Sequence, residues 1–141
     1  MSSQLSKSDY LKYLICPSYL WLWKNKPEVV PTDEDDAIKQ RLEQGNEIER
    51  YARMLFPEAK LVASHGQSAK ADTEKLVASG AKTIFQATVI TGEGLLAMAD
   101  IITREDASEP PTLYELKSPN SIPKEHILDL SFPRVAFEDA R

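Results

Sequence analysis

The hydrophobic and polar positions predict helices in the first half of the chain and at its end, with strands between them. Residues 5–24 are predicted to form a short helix, a Cys-Pro break and a second helix, because apolar residues recur at helical spacing and Pro17 suits a first helical turn. Ser6 or Ser8 is the expected cap of the first helix. The aromatic residues of the second helix either pack into a core or offer a platform on which bases stack: Tyr19, Trp21 and Trp23.

A longer helix is predicted after the acidic run at residues 33–36, which suits a solvated first turn. Its apolar stripe runs to the residues before Pro57 and comprises Ile38, Leu42, Gly45, Ile48, Ala52 and Leu55. Glu49 lies eleven positions after the first of these, almost three full turns, so we expect it to face the same way. Glu47 should face the opposite, solvated side.

The second half of the chain alternates strands with turns. Four segments have the composition and alternation of strands: Lys60–Ala63, Thr83–Thr91, Leu95–Arg104 and Thr112–Ser118. A glycine-containing turn between the second and third of them predicts a hairpin. Asp72 is expected to cap a short helix, Thr73–Ser79, that Gly80 ends. A last helix should begin near Lys124, and Pro133 is expected to interrupt it.

Charged residues occupy two of the predicted strands at positions that share a face. Because side chains alternate along a strand, one face of the second hairpin strand should carry Leu96, Met98, Asp100 and Ile102. On the next strand Glu115 and Lys117 are two positions apart and so point into the same space. An aspartate buried among apolar residues needs a metal ion, a salt bridge or a proton. An acid and a lysine on one face are what a metal-assisted hydrolase requires.

Two carboxylates, from Asp100 and Glu115, and the backbone carbonyl of Leu116 would give Mg²⁺ or Mn²⁺ several hard oxygen ligands. Glu49 would add a further ligand, directly or through water. The ion would polarise a phosphodiester oxygen, and Lys117 would orient or deprotonate the attacking water and stabilise developing negative charge. Each residue also has an ordinary interpretation: a salt-bridged aspartate, exposed strand charges and a charge at a helix edge.

Composition and charge narrow the function classes. The 141 residues suffice for one domain with a core, and the formal net charge of −5 is unlike that of a basic nucleic-acid coat protein. A nuclease remains compatible, because a bound metal offsets clustered carboxylates. No apolar stretch approaches the roughly 20 residues that a membrane span needs, so no membrane partner is expected. The single cysteine, Cys16, is interpreted as a small buried residue and fits a cytoplasmic protein.

The ordered set of features resembles the PD-(D/E)XK nuclease superfamily, in particular its RecB-like exonuclease branch. The matching segments are Gly45-Asn46-Glu47-Ile48-Glu49, Met98-Ala99-Asp100-Ile101-Ile102 and Tyr114-Glu115-Leu116-Lys117-Ser118. The opening is similar to that of CRISPR-associated and related RecB-like nucleases, in Leu5-Ser6-Lys7-Ser8-Asp9-Tyr10 followed by Cys16-Pro17.

The resemblance implies a restriction-endonuclease-like α/β fold, with a central mixed sheet of three or four strands flanked by helices. It implies one nuclease-like domain over residues 1–141, with an N-terminal helical segment at 1–30 and the core at 31–141. It also implies a Mg²⁺- or Mn²⁺-dependent deoxyribonuclease, exonuclease-like, with DNA as substrate. Lys7, Lys12 and Lys124 are the expected contacts to its phosphates.

The sequence departs from the family pattern at three positions. Many RecB-like enzymes carry a histidine where Glu49 stands, and related proteins usually place a substrate-binding glutamine where Pro133 stands. Iron–sulfur members pair an N-terminal cysteine with three others, so Cys16 gives this chain no cluster by itself. The helical pattern reaches Arg141, and we expect a longer protein or pairing of two copies across a strand edge. The alternatives are a nuclease-like domain that binds nucleic acid or a protein without cleaving, and a structural module.

Overall fold

The computed structural model of the chain describes residues 4–30, 36–106, 108–117 and 124–140, with backbone alone at 36–42 and 125. Helices and strands are mixed along it, which confirms the α/β class. The elements are β1 (Leu5–Ser6), α1 (Lys7–Ile15), α2 (Pro17–Asn25), a 3₁₀ turn (Pro27–Val29), α3 (Asp36–Leu55), β2 (Lys60–Leu61), α4 (Gly66–Ala78), β3 (Thr83–Ile90), β4 (Leu95–Thr103), β5 (Thr112–Tyr114) and α5 (Lys124–Asp139).

The strands of the described residues form one mixed sheet of five strands rather than the expected three or four, in the order β1-β4-β3-β2 with β5 also on β4. The additional strand is β1, which was predicted as part of a helix and pairs with β4. β3 and β4 form the predicted antiparallel hairpin, and β2 runs parallel to β3. β1 and β5 share the other edge of β4: β1 runs parallel to its beginning and β5 antiparallel to its end. Between them, within the described residues, the edge of β4 at 97–100 has no strand partner. The residues that follow β1 and β5 therefore approach one another along this edge.

Gln86 of β3 lies opposite Asp100 of β4, where the regular pairing is interrupted. The ladder passes from Phe85↔Ile101 to Ala87↔Ala99. Gln86 has a φ of 55°, in the left-handed region that residues with a side chain rarely adopt. The hairpin thus contains a strained backbone position at the level of Asp100.

The alternation of side chains changes face at this level. A buried cluster beneath α4 and α5 takes residues three positions apart on each strand: Ile84 and Ala87, Ala99 and Ile102. Phe85 and Ile101 pack on the other face with Ala52 of α3. The predicted common face of Leu96, Met98, Asp100 and Ile102 is therefore wrong at Ile102, because the left-handed residue opposite Asp100 offsets the alternation. Ile102 joins the core with Ala99, whereas Met98 is exposed.

Both N-terminal helices form as predicted. Ser6 caps α1, since its hydroxyl accepts from the backbone N–H of Asp9 and the Asp9 carboxylate accepts from the backbone N–H of Ser6. Pro17 is the first residue of α2. α2 packs mainly on α1 and the 3₁₀ turn and has no buried residue. The expectation that Cys16 is buried is therefore wrong, since it is exposed, and Trp21 is 55% exposed, which contradicts the core alternative for this residue.

Helix α4 begins earlier than predicted. Asp72 does not cap it but lies inside it, and accepts a hydrogen bond from the Ser64 hydroxyl at 2.7 Å. The extra turns are stabilised by tertiary packing, because Ala69 and Thr73 are buried and the Thr73 hydroxyl accepts from the backbone N–H of Thr88 at 2.9 Å. Gly80 follows the helix with a φ of 80°, as a helix end requires.

Two strand boundaries and the burial of one residue of α3 also differ from the sequence prediction. β2 ends at Leu61, earlier than the predicted Lys60–Ala63, although the Val62 N–H still donates to the Phe85 carbonyl at 3.1 Å. β5 ends at Tyr114 rather than at residue 118, because the next backbone N–H to bond, that of Leu116, is accepted by the Asp100 side chain. Leu55, predicted within the apolar stripe of α3, is 77% exposed, since it follows the last buried turn at Ala52.

Helix α5 runs through Pro133 without interruption, contrary to the prediction. The ring is fully buried, and Phe132, Ala136 and Phe137 beside it are buried as well. Their burial offsets the hydrogen bond that proline cannot donate. Among the helices of the described residues, none has the length and apolar character that crossing a membrane requires.

Candidate functional site

Asp100, Glu115 and Lys117 lie together at the edge of β4. β5 pairs with the end of β4 through Tyr114↔Ile101, so the residues after β5 run past Asp100. There the Asp100 carboxylate accepts the backbone N–H of Leu116 at 2.7 Å. The ammonium of Lys117 lies 3.1 Å from Glu115 Oε1.

Asp100 is a half-buried carboxylate in an unfavourable environment. Burial raises its pKa above the ordinary value, and the negative charge of Glu115 raises it further. The hydrogen bond from Leu116 and the charges of Lys7 and Lys117 act in the opposite direction, and the net pKa shift is upward. A cation beside Asp100 would stabilise the charged form.

Glu115 has an almost buried side chain, which is 8% exposed. Its Oε1 receives two ammonium groups, from Lys7 at 2.8 Å and from Lys117 at 3.1 Å. Its Oε2 is buried and has no hydrogen-bond partner among the described residues. A buried carboxylate oxygen without a partner is costly in a folded protein and marks a position where a cation would bind favourably.

Lys117 is held between two elements. Its ammonium contacts Asp129 of α5 at 2.7 Å as well as Glu115. Burial lowers the pKa of Lys117, but the hydrogen bonds with Asp129 and Glu115 outweigh it and raise the pKa above the ordinary value. A protonated Lys117 is suited to orienting water and stabilising negative charge, and poorly suited to accepting a proton.

Glu49 lies outside the cluster that these three residues form. It lies on the face of α3 that meets β3, as predicted, and both its oxygens accept from the side-chain amide of Gln86, at 3.1 and 3.2 Å. It also forms an ion pair with Arg53. Within the described residues Glu49 makes no hydrogen bond to Asp100, Glu115 or Lys117. Gln86, to which it is bound, lies opposite Asp100 on the neighbouring strand.

The three lysines expected to contact phosphates are placed differently. Lys7 belongs to the cluster through Glu115. Lys12 lies over the ring of Trp23 at 4.3 Å from its centroid, and its ammonium donates to the Ser8 carbonyl. Lys124 is exposed at the first residue of α5.

The sequence did not identify Gln86 or Asp129 as members of the site, and it gave Lys7 a phosphate contact rather than a carboxylate partner. Gln86 carries a sequence signal, since it is an amide in a strand that otherwise consists of apolar residues and threonines; its position opposite Asp100 follows from the register of the hairpin. Asp129 and Lys7 reach the cluster through tertiary packing and carry no local signal.

The cluster offers oxygen ligands of the kind that Mg²⁺ and Mn²⁺ take. No three acidic, histidine or cysteine side chains within the described ranges come together as a ready-made metal site. The neighbouring carboxylates of Asp100 and Glu115, with the backbone of Leu116 between them, form a partial set. Mg²⁺ keeps several water ligands and binds through one or two carboxylates, so a partial set fits such an ion. The unpartnered Oε2 of Glu115 is the atom that best fits it.

The site is separate from a cavity of about 800 Å³ on another part of the molecule. That cavity lies among α4, the end of β3, residues 108–111 and the end of α5, with Thr73, Val89 and Phe137 in its wall. None of the predicted site residues lines it. The chemistry of the carboxylate and lysine cluster, rather than the volume of this cavity, identifies the candidate site.

No protein-family model matches this sequence, and the comparisons with curated proteins and with solved structures also give no match.

Proposed function

We propose that this chain is a Mg²⁺- or Mn²⁺-dependent nuclease of the PD-(D/E)XK type, which hydrolyses phosphodiester bonds of DNA in an exonuclease-like manner. The observation that supports it best is the convergence of Asp100, Glu115 and Lys117, with the buried Oε2 of Glu115 lacking a partner among the described residues. These atoms form an oxygen-rich position next to an ammonium group.

The proposal assigns a role to each residue of the cluster. Asp100 and Glu115 bind the ion, together with the carbonyl of Leu116 and, through water, Glu49. The bound ion supplies Lewis-acid polarisation of a phosphate oxygen and a more acidic water. Lys117, protonated and held by Asp129, orients the attacking water and stabilises the charge that develops on the phosphate. Leu116 fixes the Asp100 carboxylate through its N–H.

The order of elements supports a restriction-endonuclease-like arrangement as part of the proposal. A helix with Glu49 precedes a hairpin with Asp100, a short strand leading to Glu115 and a helix that closes the site through Asp129. We also place the protein in the cytoplasm, because a single cysteine can form no internal disulfide and suits a reducing compartment.

One observation favours the alternative, a nuclease-like domain that binds nucleic acid or a partner protein without cleaving. Two lysines already neutralise Glu115, and Glu49 is engaged by Arg53 and Gln86. These two carboxylates are thus stabilised by the chain itself, as in a site that has no catalytic ion.

Calorimetric titration with Mn²⁺ tests the proposal. The chain is compared with an Asp100→Asn, Glu115→Gln variant, which preserves size and the acceptor for Leu116. A Glu93→Gln, Glu105→Gln variant removes the same charge from exposed positions and serves as control. We expect saturable binding in the unmodified chain and the control, and none in the site variant. Absence of binding in the unmodified chain would reject the metal-dependent reading.

Cleavage of end-labelled single- and double-stranded DNA in Mn²⁺ then separates the two functions. A nuclease shortens the label-bearing strands in Mn²⁺, and the site variant does not. Metal binding without cleavage of either substrate would favour the non-cleaving alternative.

A further inference from the structure

Lys7 reaches the candidate site from the opposite end of the chain. β1 pairs in parallel with the start of β4, so Lys7 emerges along the edge that Glu115 approaches from β5. Its ammonium donates to Glu115 Oε1 at 2.8 Å, across 108 positions of sequence. The backbone of Lys7 is fixed, because it is the first residue of α1 and directly follows the cap at Ser6.

The helix itself does not explain this lysine. The N-terminal turn of a helix carries partial positive charge, which disfavours a cation at its first position. Lys7 nevertheless lies there, with a side chain 29% exposed beside an almost fully buried Glu115. Its contact with the site therefore explains its position better than helix stability does.

We propose that Lys7 is a substrate-binding residue of this site. In the free protein it is the counter-ion of Glu115. When a divalent ion takes over the Glu115 carboxylate, Lys7 turns to a phosphate oxygen of the nucleic acid. This inference rests on the proposed function.

The two lysines on Glu115 differ in what retains them. Lys117 also contacts Asp129, so loss of the Glu115 contact leaves it in place. Among the described residues, Glu115 is the ion-pair partner of Lys7. A metal ion that competes for Glu115 therefore releases Lys7 rather than Lys117. Three carboxylates face two ammonium groups in the cluster, from Asp100, Glu115, Asp129, Lys7 and Lys117. A bound divalent ion changes the formal net charge of the cluster from negative to positive, and a positively charged cluster attracts a phosphate.

The Lys7→Met variant should change two affinities in opposite directions. Mn²⁺, titrated by calorimetry, should bind about tenfold more tightly, because a competing cation has been removed. A labelled single-stranded oligonucleotide, titrated by fluorescence anisotropy in saturating Ca²⁺, should bind several-fold more weakly. The slope of its log affinity against log salt should become shallower by about 0.7, the value for one phosphate contact on a single strand.

Two variants control the experiment. Lys82→Met removes a lysine from a similar pair, with Glu105 at 2.9 Å, and should leave both affinities unchanged. Lys7→Arg keeps the charge and should keep the oligonucleotide affinity and the salt slope. Loss of folding in Lys7→Met is excluded by its tighter Mn²⁺ binding, which an unfolded chain would not show.

The outcomes distinguish this inference from the proposed function. Unchanged or weaker Mn²⁺ binding by Lys7→Met overturns its role as counter-ion, and an unchanged salt slope overturns the phosphate contact. Both results leave the nuclease proposal intact if the unmodified chain binds Mn²⁺. If the unmodified chain binds no Mn²⁺, both proposals are overturned.

Discussion

Gln86 and Asp100 lie opposite each other in the central hairpin, and Gln86 holds its left-handed backbone where Asp100 meets the backbone of Leu116. A left-handed residue with a side chain costs about 1 kcal/mol or more, and such strain is concentrated at functional sites. Here the left-handed residue shifts the alternation of side chains between the two faces of the hairpin. Asp100 is directed away from the core cluster that contains Ala99 and Ile102. The same residue donates to Glu49, and thereby joins α3 to β3.

The strain predicts an inverted order of stability for two substitutions. Gln86→Gly and Gln86→Ala both remove the amide, so they differ in backbone freedom alone. In an ordinary strand glycine is less stable than alanine by about 0.5–1 kcal/mol. At a φ of 55° we expect the glycine variant to be the more stable by about 1 kcal/mol, measured by urea denaturation. A more stable alanine variant would contradict a left-handed Gln86.

Asp100 should lower the stability of the metal-free protein at neutral pH. Burial raises its pKa in the folded state above the ordinary 3.8, so the folded protein binds the proton more tightly than the unfolded chain does. The free energy of unfolding therefore falls as the pH rises from the ordinary carboxyl pKa through the raised one.

Asp100→Asn removes this dependence and keeps the acceptor for Leu116. We expect the variant to be more stable than the unmodified chain at pH 7, with a difference that shrinks towards pH 3. Urea denaturation across this range measures it. A variant that is less stable at pH 7 would indicate that Asp100 is stabilised by a partner in the folded state.

Glu115 should have the opposite effect at neutral pH. Glu115→Gln leaves two ammonium groups, those of Lys7 and Lys117, beside one another without their shared carboxylate. We expect a loss of about 2 kcal/mol in the free energy of unfolding. Glu105→Gln is the matched control: its pair with Lys82 has a similar length, but Glu105 is 83% exposed, so the loss should stay below about 0.5 kcal/mol. Equal losses in the two variants would contradict the burial of Glu115.

The sequence predicted the parts of the site that depend on local pattern. Alternating residues around a glycine-containing turn predicted the hairpin. The apolar stripe predicted α3, with Glu49 on the side that faces the sheet. Glu115 and Lys117, two positions apart, do lie together. Other features depend on long-range packing that no local window contains. The pairing of β1 with β4 brings Lys7 to Glu115, and the buried face of α5 accommodates Pro133 within a helix.

Asp129 is expected to be a positioning residue for Lys117, because it contacts the ammonium from α5 at 2.7 Å. If the chain is a nuclease, Asp129→Asn should reduce kcat for DNA cleavage about tenfold while leaving the calorimetric Mn²⁺ affinity within about twofold. Asp139→Asn, an exposed acid at the end of the same helix, should change neither quantity. A large loss of Mn²⁺ affinity in Asp129→Asn would instead make Asp129 part of the metal site.

The exposed aromatic residues of α2 allow a test of whether this helix contributes to folding stability or to nucleic-acid binding. Trp21 is 55% exposed and α2 has no buried residue, so Trp21→Ala should change the free energy of unfolding by less than about 0.5 kcal/mol. Phe85→Ala, which truncates a buried ring, should cost about 3–5 kcal/mol in the same urea denaturation. If the helix is a stacking platform, Trp21→Ala should also weaken single-stranded oligonucleotide binding by about 1–3 kcal/mol. An unchanged oligonucleotide affinity would show that the aromatic residues of α2 do not contact the nucleic acid. Binding would then be assigned to the edge of β4 at which Lys7 lies.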